Sequence, residues 1–356
     1  MILKDVSIVD DSKSAFINLL KVGLWERDVQ LLPNEEIDFY KTSRLAQEQV
    51  VIGLVAAVIE QMDSVPYETK LKFMGFVSQI QQRNEAMNRF IAELVVELQS
   101  IGVTPLLIKG QGVAQCYERP LWRTSGDVDI LVDNDDYEKT KRFLLPLTSK
   151  RKKEGCYSKH IGLCIGSWYV ELHGRLRTGL SARLDKEVDA VQTDTFGNNQ
   201  FRVWNNSGID VPLPDFDNDA FLLFTHFIKH FYKEGMCIRQ ICDWCRLLWT
   251  YKDSLNPELL KSRVMKAGLM DEWRAFAALA VDWLGMLPEA MPMYDDTIRW
   301  HKKGKKIIEQ ILNATHGKMR DKLYKAMVFP QNTILFLPGI LFNFNWLKIR
   351  ERMLKK

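Results

Sequence analysis

"LLIKGQGVAQCYERPLWRTSGDVDILVD", residues 106–133, decides how the rest of the chain is read. One apolar run ends in Lys109-Gly110, and a second carries Asp127 and Asp129 two residues apart. Side chains alternate across a strand, so Asp127, Asp129 and Leu131 share one face while Val128, Ile130 and Val132 occupy the other. The two carboxylates then lie roughly 6–7 Å apart at Cα, within reach of one cation. Carboxylates in an apolar setting need a proton, a base or a metal to offset their desolvation. An exposed strand edge explains a single Asp readily and a pair at i and i+2 poorly.

Working outward, "SWYVELHG" (167–174) reads as a further strand in which Glu171 shares a face with Tyr169 and His173, opposite Trp168, Val170 and Leu172. A third acid on a neighbouring strand completes a metal-binding set. Lys109 and Gly110 stand where a helix begins, and free N–H groups beside glycines form a seat for phosphate. The segment is not a Walker A loop, because Gly-Lys-Ser/Thr is absent. It also fails the dinucleotide fingerprint, because Gln115 stands where the third glycine belongs. Repulsion between Asp127 and Asp129 should raise the pKa of at least one, so Asp129→Asn is expected to be no less stable than the native chain without metal.

Around this centre the pattern is helical. "SAFINLLKVGLWE", "FYKTSRLAQEQVVIGLVAAVIEQM" and "YETKLKFMGFVSQIQQRNEAMNRFIAELVVELQSIG" carry apolar residues near a 3.6-residue period. "VTPLLI" (103–108) and "DVDILVD" (127–133) read as strands, "GVAQCYE" as a short helix and "SKRKKEG" as a charged loop. "YSKHIGLCIG" and "SWYVELHGRL" make a hairpin joined near Gly166-Ser167. A proline-rich entry, "VPLP", then leads into helices through "NDAFLLFTHFIKHFYKEG", "IRQICDWCRLLWTYK", "AFAALAVDWLGML" and "KKIIEQILNAT". The expected fold is α+β and mostly helical: a small mixed β-sheet core at 101–215, flanked by helical regions at 1–100 and 216–356.

The 356 residues can bury a substantial core in two or three domains. A net charge of +4 is far below that of a dedicated nucleic-acid binder and suits an anionic small ligand equally well. No run of some 18 apolar residues predicts a membrane span. The N-terminus "MILKDVSIVDDSKSAF" lacks the basic and apolar regions of a signal peptide, and the six cysteines need no oxidising compartment, so a cytoplasmic location is expected.

The order Lys-Gly, short helix, Arg, Asp-x-Asp, then a strand with one acid resembles the nucleotidyltransferase fold of DNA polymerase beta and kanamycin nucleotidyltransferase. The string 106–133 is more similar still to the uncharacterised bacterial nucleotidyltransferases of that superfamily, and "DAFLLFTHFIKHFYKEGMCIRQICDW" resembles their helical segment. The resemblance covers about 100–250. It implies Mg²⁺-dependent transfer of a nucleoside monophosphate from an NTP to a hydroxyl acceptor, with release of pyrophosphate. Asp127 and Asp129 would hold two Mg²⁺ ions, or Mn²⁺ in their place, and Glu171 would complete the hydroxyl-side position and help take its proton. Lys109, the backbone of Gly110, Gln111 and Gly112, and Arg123 would steady the phosphates. Family members commonly carry Gly-Ser or Gly-Gly after the first strand, where this chain has Lys109-Gly110-Gln111-Gly112. A small-molecule acceptor is favoured over RNA or protein. An inactive nucleotide-binding or scaffold protein on the same fold is the competing reading, and three acids beside a phosphate seat favour catalysis.

Other features are weighed against plainer accounts. His226 and His230 share a helical face, as do Arg239 and Asp243, which suits an interhelical hydrogen-bond network or the acceptor side of a cleft. The absence of His-Glu-x-x-His argues against zinc there. His173 reads as a structural or phosphate-side residue. Cys237, Cys242 and Cys245 have a ferredoxin-like spacing without a downstream fourth ligand, and read as small buried hydrophobes. The basic stretches read as solvated faces. The tail "TILFLPGILFNFNWLKIRERMLKK" joins apolar and basic residues, so contact with a membrane surface or a protein partner is a weaker alternative to core packing.

Overall fold

The computed structural model describes residues 11–341 apart from 28–36, 153, 156, 199–200, 234 and 314–326. The first ten residues, read above for a leader, and the basic end of the tail at 342–356 lie outside the described residues.

Period-two stretches build the centre. β1 (Leu106–Ile108), β2 (Val128–Leu131), β3 (Thr148–Arg151), β4 (His160–Ile165) and β5 (Trp168–His173) form one sheet in the order β1-β2-β5-β4-β3. β2 and β5 are parallel, and the other neighbours are antiparallel. The hairpin at Gly166-Ser167 sets Ile165 opposite Trp168, and this register runs outward to His160 opposite His173. Every residue of β1 and β2 is buried. One sheet face carries Leu107, Val128, Ile130 and Leu172 into a core with Met87, Ile91 and Leu98. On the other face, Leu106, Ile108 and Leu131 pack with Phe196 and Phe201, while Asp129 looks into a cavity.

Four N-terminal helices precede the sheet: α1 (Asp11–Trp25), α2 (Phe39–Glu48), α3 (Ile52–Gln61) and α4 (Tyr67–Ser100). The periodic stretch read as continuous over 39–62 is two helices. Val50 at φ +60° interrupts it, and the freed amide groups of Gln49, Val50 and Val51 bond Leu45, Gln47 and Ala46 carbonyls. Neither glycine nor proline marks this break. α4 spans about 51 Å at its 1.5 Å rise per residue. Its first half places Phe73 and Val77 in the helical core, and its second half places Met87 to Leu98 under the sheet.

Beyond β2 come α6 (Tyr137–Leu144) and, after β5, α7 (Ala182–Gly197), while α5 (Gly110–Ala114) follows β1. Two expectations fail here. The "SKRKKEG" segment is not all loop, because 148–151 pairs as edge strand β3. "VPLP" is not a helix entry but lies in β7 (Ile209–Pro214), which pairs with β6 (Phe201–Asn206) in a separate two-stranded sheet. This hairpin adds Val211 and Leu213 to the core beneath the main sheet. The chain then continues as α8 (Phe216–Lys233), α9 (Ile238–Thr250), α10 (Pro257–Ala267), α11 (Met270–Leu284), α12 (Ile298–Asn313) and a last helix at Pro330–Leu341.

The early and late helices share one hydrophobic core, in which Phe16 and Val55 join Phe224, Trp244, Trp273 and Phe276. Gly23 permits close approach within it, since a Cβ there would lie 2.1 Å from the Leu54 carbonyl oxygen. Cys242 and Cys245 are buried in this core, and burial pushes both thiols up. The protein is α+β and mostly helical. Among the described residues, no helix is long and apolar enough to cross a membrane.

Candidate active site

Parallel pairing of β2 with β5 places Asp129 directly opposite Glu171, and paired residues project to the same face. Asp127 enters one step before β2 on that face. Carboxylate oxygens of Asp127, Asp129 and Glu171 come within 4.8 Å of one another. They line a cavity of about 450 Å³ together with Lys109, Arg175 and Lys229. Three carboxylates on adjacent strands form the oxygen-rich donor set that hard divalent cations take.

The charges in this cluster are not equivalent. Burial raises the Asp127 pKa, and the nearby Asp129 carboxylate raises it further against the pull of Lys109. Burial alone would raise Asp129 too, but the Lys109 ammonium and the His173 hydrogen bond reverse the balance and hold it well below the usual range. Lys109 Nζ sits 2.7 Å from Asp129 Oδ1. Burial works against the Lys109 charge, but Asp129 outweighs it and raises the Lys109 pKa. Burial works to raise Glu171, but His160 and His173 together bring it below its ordinary value. The expected repulsion between the strand aspartates therefore falls on Asp127. Lys109 supplies on Asp129 the positive charge that a cation would provide, so these residues fit a divalent ion.

Lys109 adopts φ 60°, ψ −150°, a conformation largely confined to glycine, immediately before α5. Its side chain reaches Asp129 from there. At Gly110, φ +46°, a Cβ would make only ordinary contact, 3.6 Å from the Asp127 carbonyl oxygen, so the backbone conformation rather than crowding favours glycine. Gly112 has a packing reason instead, since a Cβ there would meet Leu213 Cδ2 at 2.8 Å. The Gln111 side chain is buried beside Met87, with Nε2 3.8 Å from its sulfur. Within 110–112, the Gln111 side chain is therefore committed to the interior.

Arg123 lies at the cavity wall, yet most of its donors are committed. Nε and Nη2 each donate to an Asp243 carboxylate oxygen at 2.7 Å, and Nη1 donates to Ser125 Oγ at 2.8 Å. Tyr117 adds a 2.8 Å hydrogen bond to Asp243. Burial opposes the Asp243 charge, but Arg123 outweighs it and lowers the pKa. This fork ties the loop before Asp127 to α9. Asn84 holds the same loop from α4 by donating to the Leu121 and Arg123 carbonyls, both at 2.8 Å. A Cβ on Gly53 would lie 2.0 Å from the Trp122 carbonyl oxygen, so glycine lets α3 approach the loop. The loop that delivers Asp127 is thus clamped from both sides.

His226 and His230 both line the cavity, with Nε2 atoms 3.1 Å apart. Burial and the Lys109 charge push His226 well below its ordinary pKa. Arg239 also lines the cavity and donates from Nη1 to the Thr124 carbonyl at 2.9 Å. His173 Nε2 lies 2.9 Å from Asp129 Oδ1, and burial pushes its pKa down to about 4 against the opposing effect of that carboxylate. The sequence reading missed His160. Its Nε2 lies 3.2 Å from Glu171 Oε2, and counting outward from the Gly166-Ser167 turn would have placed it opposite His173.

Residues 35–285 match the model of a family described as uncharacterised nucleotidyltransferase. The match covers well over half of the chain, which belongs to that family. Comparison with curated proteins gave no match.

Proposed function

We propose that this member of the uncharacterised nucleotidyltransferase family is an Mg²⁺-dependent enzyme that transfers a nucleoside monophosphate from an NTP to a hydroxyl on a small acceptor. The observation that carries this reading is the convergence of Asp127, Asp129 and Glu171 from adjacent strands beside Lys109. Mg²⁺ held by these three carboxylates would supply Lewis-acid charge at the transferring phosphoryl group and favour deprotonation of the acceptor. The acceptor oxygen forms a bond to the α-phosphorus as the bond to the β-phosphate bridging oxygen breaks, and pyrophosphate leaves with the electron pair. Glu171, on the strand beside the two aspartates, is the residue suited to help take the acceptor proton, which Mg²⁺ would make more acidic. Lys109, freed from Asp129, neutralises phosphate oxygens. Arg123 acts through the loop, holding Asp127 in place through Asp243 rather than gripping phosphate.

A cavity of about 450 Å³ falls in the range of small-molecule sites, which favours a metabolite acceptor over RNA or protein. Lys152 and Lys229 on its walls suit anionic groups. A cytoplasmic enzyme drawing on the NTP pool fits this reading. The test is incubation with each NTP, Mg²⁺ and a cell metabolite extract, followed by mass spectrometry and pyrophosphate measurement. A metabolite should gain the mass of one nucleotidyl group with wild type and not with Asp127→Asn. Equal product from both, or none from any NTP, would contradict the proposal.

A further inference from the structure

β4 and β5 carry a second donor group beside the acids. The hairpin register sets His160 opposite His173 and Gly162 opposite Glu171, so both imidazoles and the carboxylate project from the same sheet face. The imidazole rings stack with centroids 4.7 Å apart and planes 18° apart. Their Nε2 atoms lie 3.2 and 3.6 Å from the same atom, Glu171 Oε2. The three ligand atoms all fall within 4.8 Å of one another. His160 Nε2 is buried without an aligned hydrogen bond, even though the carboxylate is at ion-pair distance.

We propose that His160, Glu171 and His173 form a binding site for a divalent transition ion of borderline softness, with Zn²⁺ as the preferred ion. Imidazole selects such ions, whereas Mg²⁺ prefers oxygen. Ligands about 2.0–2.1 Å from a tetrahedral Zn²⁺ lie about 3.3 Å from one another. The distances of 3.2 and 3.6 Å bracket that value, and seating the ion turns the His173 ring out of its stack so that Nε2 gives up its 2.9 Å contact with Asp129 Oδ1. An ion here accepts the lone pair of the otherwise unaligned His160 Nε2. Three protein donors leave a fourth position open to water or substrate. Sharing Glu171 with Asp127 and Asp129 would make the complete centre chemically asymmetric, with an oxygen-only position beside a nitrogen-rich one. The inference rests on the nucleotidyl-transfer reading only through that shared residue.

Space on this face has a sequence cause. A Cβ at Gly162 would lie 1.9 Å from the Tyr169 hydroxyl oxygen, so glycine admits the Tyr169 ring next to Glu171.

The test is titration of the metal-stripped full chain with Co²⁺ and Zn²⁺, without nucleotide. Visible absorption reports cobalt geometry, and calorimetry reports zinc affinity and stoichiometry. Wild type should bind one equivalent of Co²⁺ with the intense visible bands of a low-coordinate site, and millimolar Mg²⁺ should not remove them. His160→Ala and the more conservative His160→Gln, each checked for native circular dichroism, should bind Zn²⁺ at least about 100-fold more weakly. Asp127→Asn should keep the cobalt spectrum. Zinc binding unchanged in both His160 variants, displacement by Mg²⁺, or absence of cobalt bands in wild type would overturn the site. Failure to transfer nucleotide while these metal results hold would overturn the proposed function and leave this inference standing.

Discussion

Replacing either strand aspartate by asparagine should give opposite results in metal-free protein. In the Lys109–Asp129 pair the side chains are 17% and 4% exposed, so Asp129→Asn leaves an ammonium in a largely dry site. Removing one partner of a buried pair costs about 3–5 kcal/mol. The low end applies, because asparagine still offers an acceptor and the Asp127 and Glu171 charges still favour Lys109. Unfolding entropy of about 2.1 cal/mol/K per residue over 356 residues is about 0.75 kcal/mol per kelvin, so a loss of about 3 kcal/mol lowers the melting midpoint by about 4 °C. Asp127→Asn instead removes a carboxylate that burial and Asp129 both disfavour. It should melt within about 1 °C of wild type or above it. Scanning calorimetry of the two variants after chelator treatment measures the difference. Equal midpoints, or Asp127→Asn melting below Asp129→Asn, would refute this account of the charges.

Asp243→Ala leaves the Arg123 guanidinium, 5% exposed, without its carboxylate and should cost about 3–5 kcal/mol in urea unfolding. Arg123→Met combined with Asp243→Leu should recover most of that loss, and an additive loss would remove the clamp argument. His226 is held well below the ordinary histidine pKa, so the unfolded chain binds a proton that the folded chain excludes. Its contribution is present above pH about 6.5 and is lost as pH falls from there toward its folded value. His226→Gln should flatten stability against pH in that window, and an unchanged slope would contradict the burial assignment.

The acids and their strands were legible because period-two alternation fixes which residues share a face, and a two-residue turn fixes hairpin register. Alternation puts Asp127 with Asp129 and Glu171 with His173, but the parallel pairing of β2 with β5 that brings Glu171 to the aspartates joins strands distant in sequence, and the family resemblance rather than any local pattern pointed to it. β3 was not legible, because "TSKR" is an exposed edge with no apolar face. The β6–β7 hairpin hid behind prolines that also suit a helix entry. The α2–α3 break at Val50 carries no turn residue, and packing imposes it. The expectation that Asp129→Asn is harmless counted the neighbouring carboxylate alone, and Lys109 folding back onto Asp129 gives the reason to expect a loss instead. The commitment of the Arg123 guanidinium to Asp243 was not legible either, because the two are 120 residues apart in sequence. Such partners are fixed by tertiary packing, which no local pattern encodes.

The position of bond cleavage in the NTP separates nucleotidyl transfer from phosphoryl transfer and from mere binding. The measurement is a reaction with NTP labelled at the α-phosphate or, in parallel, at the γ-phosphate, with Mg²⁺ and the acceptor-containing metabolite fraction. The account predicts that α-label moves to the acceptor while γ-label leaves in pyrophosphate, and that Asp129→Asn abolishes both. Transfer of γ-label to the acceptor, or retention of both labels in intact NTP, would contradict it.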